Sequence, residues 1–405
     1  MAGGTIATHP AGSAAPTAWL VIAGLGLCHL LNDVMQSLLA AIYPLLQAEF
    51  ALAFWQIGLM TFAFMVTASV LQPVVGWLGD RRVWPAALPV GMGATLAGVV
   101  LLATATAYPA LLAGAGLIGV GSAIFHPEAS RVARAASGGR FGTAQSLFQF
   151  GGTTGTAIGP LAAAFIVVPL GRPSLAWFAV MALIGMVILQ RAASWHAAAR
   201  RAAAARTRVA TEAPPPLPGG RLALILGVLL LLVIVKNAYT ASISSYYIFF
   251  LIDRFGISTQ DAQLMLFAFL AAAALGVALG GIIGDRVGAR TVIWFSILGA
   301  LPFTLALPHL PLVWTGVASV LGAAIMACAF PAIIVYAQAL LPGRVGMVAG
   351  LFFGFAFGSG GIAAALLGVL ADARGIGFVF LLCSVLPVLG LLTAVLPPRR
   401  DLATG

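Results

Sequence analysis

Long apolar runs, separated by short polar segments, follow one another along almost the whole sequence. Each run has about 20 residues or more, the length that an α-helix needs to cross the hydrocarbon core of a bilayer. A membrane β-strand would instead show alternating polar and apolar positions over about ten residues. The pattern therefore predicts an all-α membrane protein with twelve transmembrane helices between residues 19 and 396.

One segment, 194–220, interrupts this pattern because it is rich first in alanine and arginine, then in proline, and is too polar to span a membrane. We interpret it as a cytoplasmic linker between two six-helix bundles, 19–193 and 221–397. Residues 1–18 and 398–405 are predicted to be cytoplasmic tails, the first of them disordered. The sequence therefore predicts two membrane domains joined by a polar connection.

The two predicted bundles repeat one another in sequence. The motif that ends in Asp80 recurs at Asp285, 205 residues later, and Pro127 recurs at Pro331, 204 residues later. Coincident landmarks at nearly one spacing indicate a duplication, so the two bundles should be pseudo-symmetric. Six plus six helices in parallel halves resemble the major facilitator fold of secondary transporters.

Composition excludes a soluble protein. Hydrophobic residues make up 61% of the chain and charged residues 7%, whereas soluble domains carry about 25% charged residues. The formal net charge of +10 would suit nucleic acid, but sixteen of the twenty Lys and Arg residues lie on one side of the predicted spans. This bias is the positive-inside rule of membrane proteins. It predicts that both termini lie in the cytoplasm and that the protein does not bind nucleic acid.

The sequence contains no catalytic or nucleotide-binding motif. Cys28, Cys328 and Cys383 are isolated in apolar runs, without the spacing of a metal site or a disulfide framework. We therefore expect no enzyme activity, no cofactor and no metal ion, and an energy source other than ATP bound by this chain.

Both halves carry a glycine-containing helix end that is followed by an aspartate and an arginine. Glycines allow two helices to approach closely, and an aspartate can accept hydrogen bonds from the N–H groups at the start of a neighbouring helix. These loops are predicted to hold one side of the protein closed and to release it as the halves rock; the alternative is a plain tight turn.

Glycines and a proline in the fifth span predict close packing across the interface between the halves. The predicted gating residues are Gly76, Asp80, Arg81, Gly281, Asp285, Arg286, Gly288, Arg290, Gly155, Gly159 and Pro160.

Polar side chains form a stripe along the first predicted helix, at His29, Asn32, Asp33, Gln36 and Tyr43. Their spacing places them on one helix face, which must contact protein or a water-filled cavity rather than lipid. Burial favours the neutral form of a carboxyl group, so Asp33, near the middle of its span, is a candidate proton carrier. The alternative is a structural, hydrogen-bonded aspartate.

Lys236 lies in the middle of the seventh predicted span, too deep to extend easily to the membrane surface. The sequence repeat places it one position from the equivalent of Asn32. We therefore expect Asp33 and Lys236 to share one site, either as a switchable ion pair or as a proton acceptor and an anion anchor. The alternative is that each makes separate structural contacts.

Glu128 and Arg131 are three residues apart near the cytoplasmic end of the fourth span, next to His126. One interpretation is an access site for protons and substrate, which the near-neutral titration of histidine favours slightly. The other is a latch that stabilises a closed gate. The predicted proton-coupling residues are Asp33, Glu128, His126 and Arg131.

Further polar side chains within the spans are candidates for substrate contacts, with ordinary packing as the alternative for several of them. The predicted substrate-binding residues are His29, Asn32, Gln36, Tyr43, Gln145, Gln149, Lys236, Asn237, Tyr239, Tyr246, Tyr336 and Gln338.

Several segments resemble the fosmidomycin-resistance family of major facilitator transporters. They extend from about residue 19 to residue 398, except in the linker, and include 29–36, 121–131, 136–140, 280–286, 335–338 and 350–358. The resemblance implies a proton-driven drug efflux pump, multi-pass in a bacterial inner membrane. In the fifth span, the segment from Gly155 to Pro160 also resembles the glycine-proline signature of antiporters.

The predicted function is a proton-coupled antiporter that exports small, drug-like and anionic compounds by alternating access. The cationic groups favour an anion, and the resemblance implies a fosmidomycin-like one. Its expected partners are a small-molecule substrate, protons and the lipid bilayer, and the protein is expected to be a monomer. The alternative is a proton symporter or facilitator that imports a small organic anion, because the fold does not fix the direction of transport.

Overall fold

The computed structural model describes residues 17–82, 84–206 and 219–397. Within these ranges every regular element is helical, and twelve helices are long and apolar enough to span a membrane. They are α1 (Trp19–Ala41), α2 (Trp55–Arg81), α3 (Ala87–Thr104), α4 (Tyr108–Ala136), α5 (Phe141–Leu170), α6 (Arg172–Ala202), α7 (Gly219–Phe255), α8 (Leu264–Val287), α9 (Ala289–His309), α10 (Leu312–Leu340), α11 (Val345–Arg374) and α12 (Ile376–Val395). The all-α prediction with twelve spans is confirmed.

Two predicted boundaries differ from the structure. The first predicted span continues to about residue 47, but α1 ends at Ala41 and a separate short helix, Tyr43–Phe50, follows. Pro44 lies in the first turn of that helix, where its missing N–H group is not needed. Tyr43 therefore lies outside α1.

The helix of α6 continues past the predicted end of the first bundle, as far as Arg206. The first part of the predicted linker is rich in alanine and arginine, which are strong helix formers. Residues 207–218 of the linker lie outside the described ranges, as do residues 1–16 and 398–405 of the predicted tails.

The two halves meet along two helix pairs, α2 against α11 and α5 against α8. Glycines permit this close approach: a Cβ at Gly281 would overlap the carbonyl oxygen of Gly142, and a Cβ at Gly76 would overlap that of Gly346. We name these contacts the α5–α8 seam and the α2–α11 seam. Both bring backbone against backbone, so larger side chains at these glycines would force the halves apart.

Large apolar side chains cover the outside of the helices. Leu20 is 91% exposed, Phe165 76% and Val313 73%. A soluble monomer rarely leaves extended apolar surface uncovered, whereas lipid covers such a surface in a membrane. The polar side chains that the sequence places within the spans lie mainly inside, for example His29, which is 2% exposed.

Candidate functional site

A cavity of about 600 Å³ lies between the two halves, a volume within the usual range of small-molecule sites. Helices α1, α2, α4 and α5 of the first half and α7, α8, α10 and α11 of the second contribute its lining. Asp33 and Lys236 both face it, so the two groups that the sequence predicts to share one site line one cavity.

Three ionisable side chains form a compact cluster at this cavity, which we name the histidine–aspartate cluster: His29, Asp33 and His126. The Nε2 atoms of the two histidines are 3.1 Å apart. An Asp33 oxygen lies 3.4 Å from Nε2 of His29, and the other lies 3.9 Å from Nε2 of His126. His29 and Asp33 are one helical turn apart on α1, and α4 supplies His126. The sequence predicts Asp33 and His126 as proton-coupling residues and His29 as a substrate contact, and the structure brings all three together.

Amide side chains hold the Asp33 carboxylate in place. The side-chain N–H groups of Asn32 and Gln36 donate to its Oδ1 over 3.2 and 3.3 Å. Thr95 of α3 donates in turn to the Asn32 side-chain oxygen over 3.2 Å. Asn32 and Gln36, predicted to bind substrate, therefore support the cluster in this structure.

Ligand atoms of the cluster all lie within 4.8 Å of one another, a grouping that could also hold a metal ion. Two imidazoles and one carboxylate are common ligands of zinc. The Nε2 atoms of the two histidines also lie at hydrogen-bond distance from each other.

Lys236 lies at the cavity without an acidic partner among the residues that the structure describes. Its Nζ atom is 3.4 Å from the side-chain oxygen of Asn237, to which it donates, and 5.4 Å from the centre of the Phe330 ring. Among the described residues, it forms no ion pair within 4.0 Å. The Asp33–Lys236 ion pair that the sequence suggested is thus not formed in this conformation, and the cavity presents a cation.

Two further buried polar atoms at the cavity have no hydrogen-bond partner among the described residues: the hydroxyl of Tyr239 and the side-chain oxygen of Gln149. Buried polar atoms without partners are uncommon in proteins. They are therefore positions at which a ligand in the cavity can form hydrogen bonds.

Asp80 and Asp285 contact helix starts on one side of the membrane domain. Asp80 accepts hydrogen bonds from the backbone N–H groups of Gly346 and Met347, over 2.9 and 2.8 Å, at the start of α11. Asp285 accepts from the backbone N–H groups of Gly142 and Thr143, over 2.7 and 2.8 Å, at the start of α5. A carboxylate at a helix N-terminus is stabilised by unpaired N–H groups and by the helix dipole.

The two aspartates differ in their other partners. Arg131 donates from Nε to Asp80 over 3.1 Å and from Nη2 to the Gly76 carbonyl over 2.9 Å, and its Nη1 pairs with Glu128. Asp285 instead accepts from the Thr143 hydroxyl over 2.6 Å. Thr143 is not among the predicted gating residues, although its position directly after a glycine at a helix start is a signal for such a contact.

A third set of contacts crosses between the halves beside the aspartates. The Gln338 side-chain N–H donates to the Ser130 hydroxyl over 3.2 Å, and Ser130 donates to Gln145 over 2.9 Å. Arg134 donates to the Gln338 oxygen over 3.3 Å. Gln145 and Gln338, predicted to bind substrate, thus lie in this polar bridge and not among the residues that line the cavity.

The other predicted residues take varied positions. Asn237 lines the cavity and donates to the Ala356 carbonyl over 3.1 Å. Tyr246 donates to the Ala364 carbonyl over 2.6 Å, Tyr336 donates to the Pro397 carbonyl over 2.8 Å, and Tyr43 accepts from the Thr61 hydroxyl over 2.9 Å.

Arginines of the predicted gate lie near these contacts. The Arg81 guanidinium lies 3.9 Å from the centre of the Trp77 ring, whereas Arg286 and Arg290 line a second cavity, of about 400 Å³, beside Asp285. Gly288, between α8 and α9, has a φ of 89°. Glycine adopts this backbone conformation without strain.

One predicted packing contact is wrong. Gly155 and Gly159 do not face the second half: their Cα atoms lie against α1, where a Cβ would overlap the Leu30 carbonyl and the Ser37 side chain. Pro160 follows them within α5. A glycine pattern predicts close approach but not the identity of the neighbour, and here the neighbour belongs to the same half.

The sequence matches the family model of the Major Facilitator Superfamily over residues 25–259 and 228–404. It is 51% identical to the fosmidomycin resistance protein of Escherichia coli (strain K12) over 386 residues, which cover 95% of each chain. It is 38% identical over 393 residues, again 95% of each chain, to the uncharacterized MFS-type transporter YfnC of Bacillus subtilis (strain 168).

The fold is similar to that of a crystal structure of the human organic anion transporter MFSD10 (TETRAN), with a TM-score of 0.74 and 17% sequence identity. The match covers 94% of this chain and 100% of the MFSD10 chain. Together with the sequence matches, this shows a membrane transporter and not an enzyme. The chain belongs to the major facilitator superfamily and, within it, to the fosmidomycin-resistance family.

Proposed function

We propose that this transporter exports small anionic, fosmidomycin-like compounds across a bacterial inner membrane in exchange for protons. One observation carries the proposal: a single cavity is lined both by Lys236, a cation without an acidic partner among the described residues, and by the histidine–aspartate cluster. Lys236 is suited to bind an anionic substrate, and the histidine–aspartate cluster is suited to bind and release protons.

Lys236 is the proposed anchor for the substrate anion. An ammonium group in a mostly apolar cavity attracts an anion more strongly than it would in water. The unpartnered Tyr239 hydroxyl and Gln149 oxygen add hydrogen-bonding positions nearby. The Escherichia coli relative is named for resistance to fosmidomycin, and this supports an anionic compound of that kind as the first one to test.

Asp33 is the proposed proton carrier, together with His126. Carboxylates and imidazoles bind and release protons within the range that burial and neighbouring charges set. Arg131 binds both Glu128 and Asp80, and Asp80 in turn accepts from the start of α11, which supports the latch interpretation for this pair rather than an access site.

The contacts of Asp80, Asp285 and the polar bridge are the proposed cytoplasmic gate, closed in this conformation. The cavity lies beyond these contacts, along α5, α7 and α11, up to Ala157, Ser245 and Ala364. The concentration of arginines near the gate agrees with a cytoplasmic location by the positive-inside rule. Both termini are then cytoplasmic, and a monomer is sufficient for alternating access.

Transport of fosmidomycin by the purified protein in proteoliposomes tests this function. With the lumen acidic, an antiporter accumulates fosmidomycin inside the vesicles, and the accumulation collapses when an ionophore removes the pH gradient. Accumulation only when the lumen is alkaline would instead establish proton symport. Flux that does not depend on the pH gradient would indicate a facilitator. No flux above that of empty vesicles would overturn the proposed substrate.

A further inference from the structure

The tautomers of His29 and His126 are fixed by backbone carbonyl groups. His29 Nδ1 lies 2.7 Å from the Phe148 carbonyl oxygen, and His126 Nδ1 lies 2.9 Å from that of Ser122. A carbonyl oxygen only accepts hydrogen bonds, so each Nδ1 carries a proton and donates it. The Ser122 hydroxyl, 3.2 Å from the same Nδ1, can accept from that N–H as well.

The remaining nitrogens then face each other as acceptors. A neutral imidazole with a proton on Nδ1 has only a lone pair on Nε2. The two Nε2 atoms are 3.1 Å apart, so two neutral rings would point lone pairs at one another across a hydrogen-bond distance. One added proton turns this repulsion into an N–H···N hydrogen bond and makes one ring an imidazolium.

The surroundings provide one negative charge for that cation. The Asp33 carboxylate contacts both rings. The contacts from α5 and α11 are uncharged: the ring and backbone carbonyl of Phe148 lie at His29, and the rings of Phe353 and Phe357 lie at His126. From α7, Lys236 is the charged group that lines the same cavity. The site is thus built for a single positive charge.

The backbone leaves room for this arrangement. A Cβ at position Gly152 of α5 would overlap the His29 ring, so a glycine is needed where the imidazole passes α5. His29 and His126 are 2% and 0% exposed. A buried, sterically defined contact between two rings is therefore a property of the fold.

We propose that His29 and His126 bind one proton jointly between their Nε2 atoms, with Asp33 as the counter-ion, so that the proton-loading site is this cluster and not Asp33 alone. The inference rests on the proposed proton coupling and makes His29 a proton ligand rather than a substrate contact. Loss of the proton leaves two facing lone pairs, so one ring must turn away. The His126 ring, 4.9 Å from that of Phe353 on α11, passes this change to the other half.

Proton release on substrate binding tests the proposal. Purified protein in a weakly buffered solution with a pH indicator is titrated with fosmidomycin, and the protons released per bound molecule are counted across a range of pH. The variants are His29→Asn and His126→Asn, because asparagine can still donate to the carbonyl acceptor but has no basic nitrogen. His309→Gln, at an exposed histidine, is the matched control, and counterflow without a pH gradient shows which variants still bind and transport.

The wild type and the control are expected to release about one proton per fosmidomycin at a pH where the shared proton is bound. Both asparagine variants should lose this release to a similar extent when it is counted per bound fosmidomycin. Normal release from His29→Asn, together with its loss in Asp33→Asn, would overturn the shared site and leave proton coupling through Asp33 intact. If an asparagine variant loses counterflow, His29→Gln and His126→Gln replace it in the same comparison.

A metal ion is the competing occupant of the same three side chains. If a chelator abolished proton release by the wild type and added zinc restored it, the joint proton would be ruled out. Absence of both proton release and gradient-driven flux in the wild type would instead remove the proposed coupling itself.

Discussion

Asp80 and Asp285 occupy equivalent positions in the two halves, and each accepts hydrogen bonds from the first N–H groups of a helix in the opposite half. Each half thus provides both a carboxylate and a helix start to its neighbour. The contacts need the halves to be close together on this side, so in the proposed alternating-access cycle they stabilise the conformation with a closed gate.

Asp80→Asn and Asp285→Asn are each expected to favour opening of the gate. Hydrogen bonds to a charged group contribute about 1.5–3 kcal/mol, so losing part of this energy should raise the open fraction roughly tenfold. The measurement is the rate at which an impermeant maleimide labels Ser130→Cys in inverted vesicles, with the three native cysteines replaced. Asp253→Asn, at an exposed position near the end of α7, is the control and should label slowly; equal rates in all variants would count against the gate.

Gly281→Ala is expected to slow transport because the added methyl group would overlap the Gly142 carbonyl oxygen and the Ser146 hydroxyl. Overpacking costs about 1–3 kcal/mol, enough to reduce the closed population by about tenfold. Gly116→Ala is the matched control, since a Cβ there meets no atom within 4 Å. Fosmidomycin flux in proteoliposomes distinguishes the two alanine variants. Similar flux in both would show that the α5–α8 seam tolerates an added methyl group.

Lys236→Gln is expected to weaken fosmidomycin binding by at least about tenfold, because a charge-assisted contact contributes about 1.5–3 kcal/mol. Lys236→Arg should retain most of the affinity, since it keeps the charge. Lys236 is the only lysine in the sequence, so bound fosmidomycin should also protect the protein from an amine-directed reagent once the terminal amine is blocked. Unchanged affinity in the glutamine variant would remove Lys236 from the binding site.

Arg172→Gln is expected to lower the thermal stability of the first half. Its Nη1 donates to the Leu102 and Ala103 carbonyls over 2.7 Å each, and its Nε to Glu49 over 2.9 Å. Carbonyls in the last turn of a helix such as α3 lack intrahelical partners, and leaving one buried without a donor costs about 1–3 kcal/mol.

The measurement for Arg172 is the unfolding temperature of the purified protein in detergent, which should fall by several degrees. Arg172→Lys should recover only part of the loss, because an ammonium group cannot replace the planar fork of donors. Arg374→Gln, at an exposed arginine, is expected to leave the unfolding temperature unchanged, and an equal effect of the two glutamine variants would contradict this role.

Local patterns made the architecture predictable. Apolar runs determine where helices cross the membrane, and the repeat from Asp80 to Asp285 indicates two related halves. Helix ends were less predictable: Pro44 starts a new helix within the first predicted span, and the alanine-rich segment after residue 193 continues α6. These differences depend on where a favourable local conformation begins, which hydropathy does not resolve.

The site was only partly predictable, because its contacts join different helices. The stripe on α1 indicated Asp33, but no period in the sequence relates His29 to His126, 97 residues away. Their contact follows from how α1 packs against α4 and α5. The same limit applies to Gly155, whose pattern indicated a close neighbour without identifying it as α1.

The unequal partners of the two aspartates give the conformational change a sequence of events. Arg131, Glu128 and Asp80 all belong to the first half, so separation around Asp80 breaks only the two bonds from the α11 N–H groups. Around Asp285 it breaks bonds from two N–H groups and from the Thr143 hydroxyl. We therefore expect the α2–α11 seam to part first, because Asp80 keeps the Arg131 cation as a partner, while the α5–α8 seam still holds and acts as a hinge. Opening would then pass through an intermediate in which one seam has separated and the other is still closed, instead of both seams separating at once.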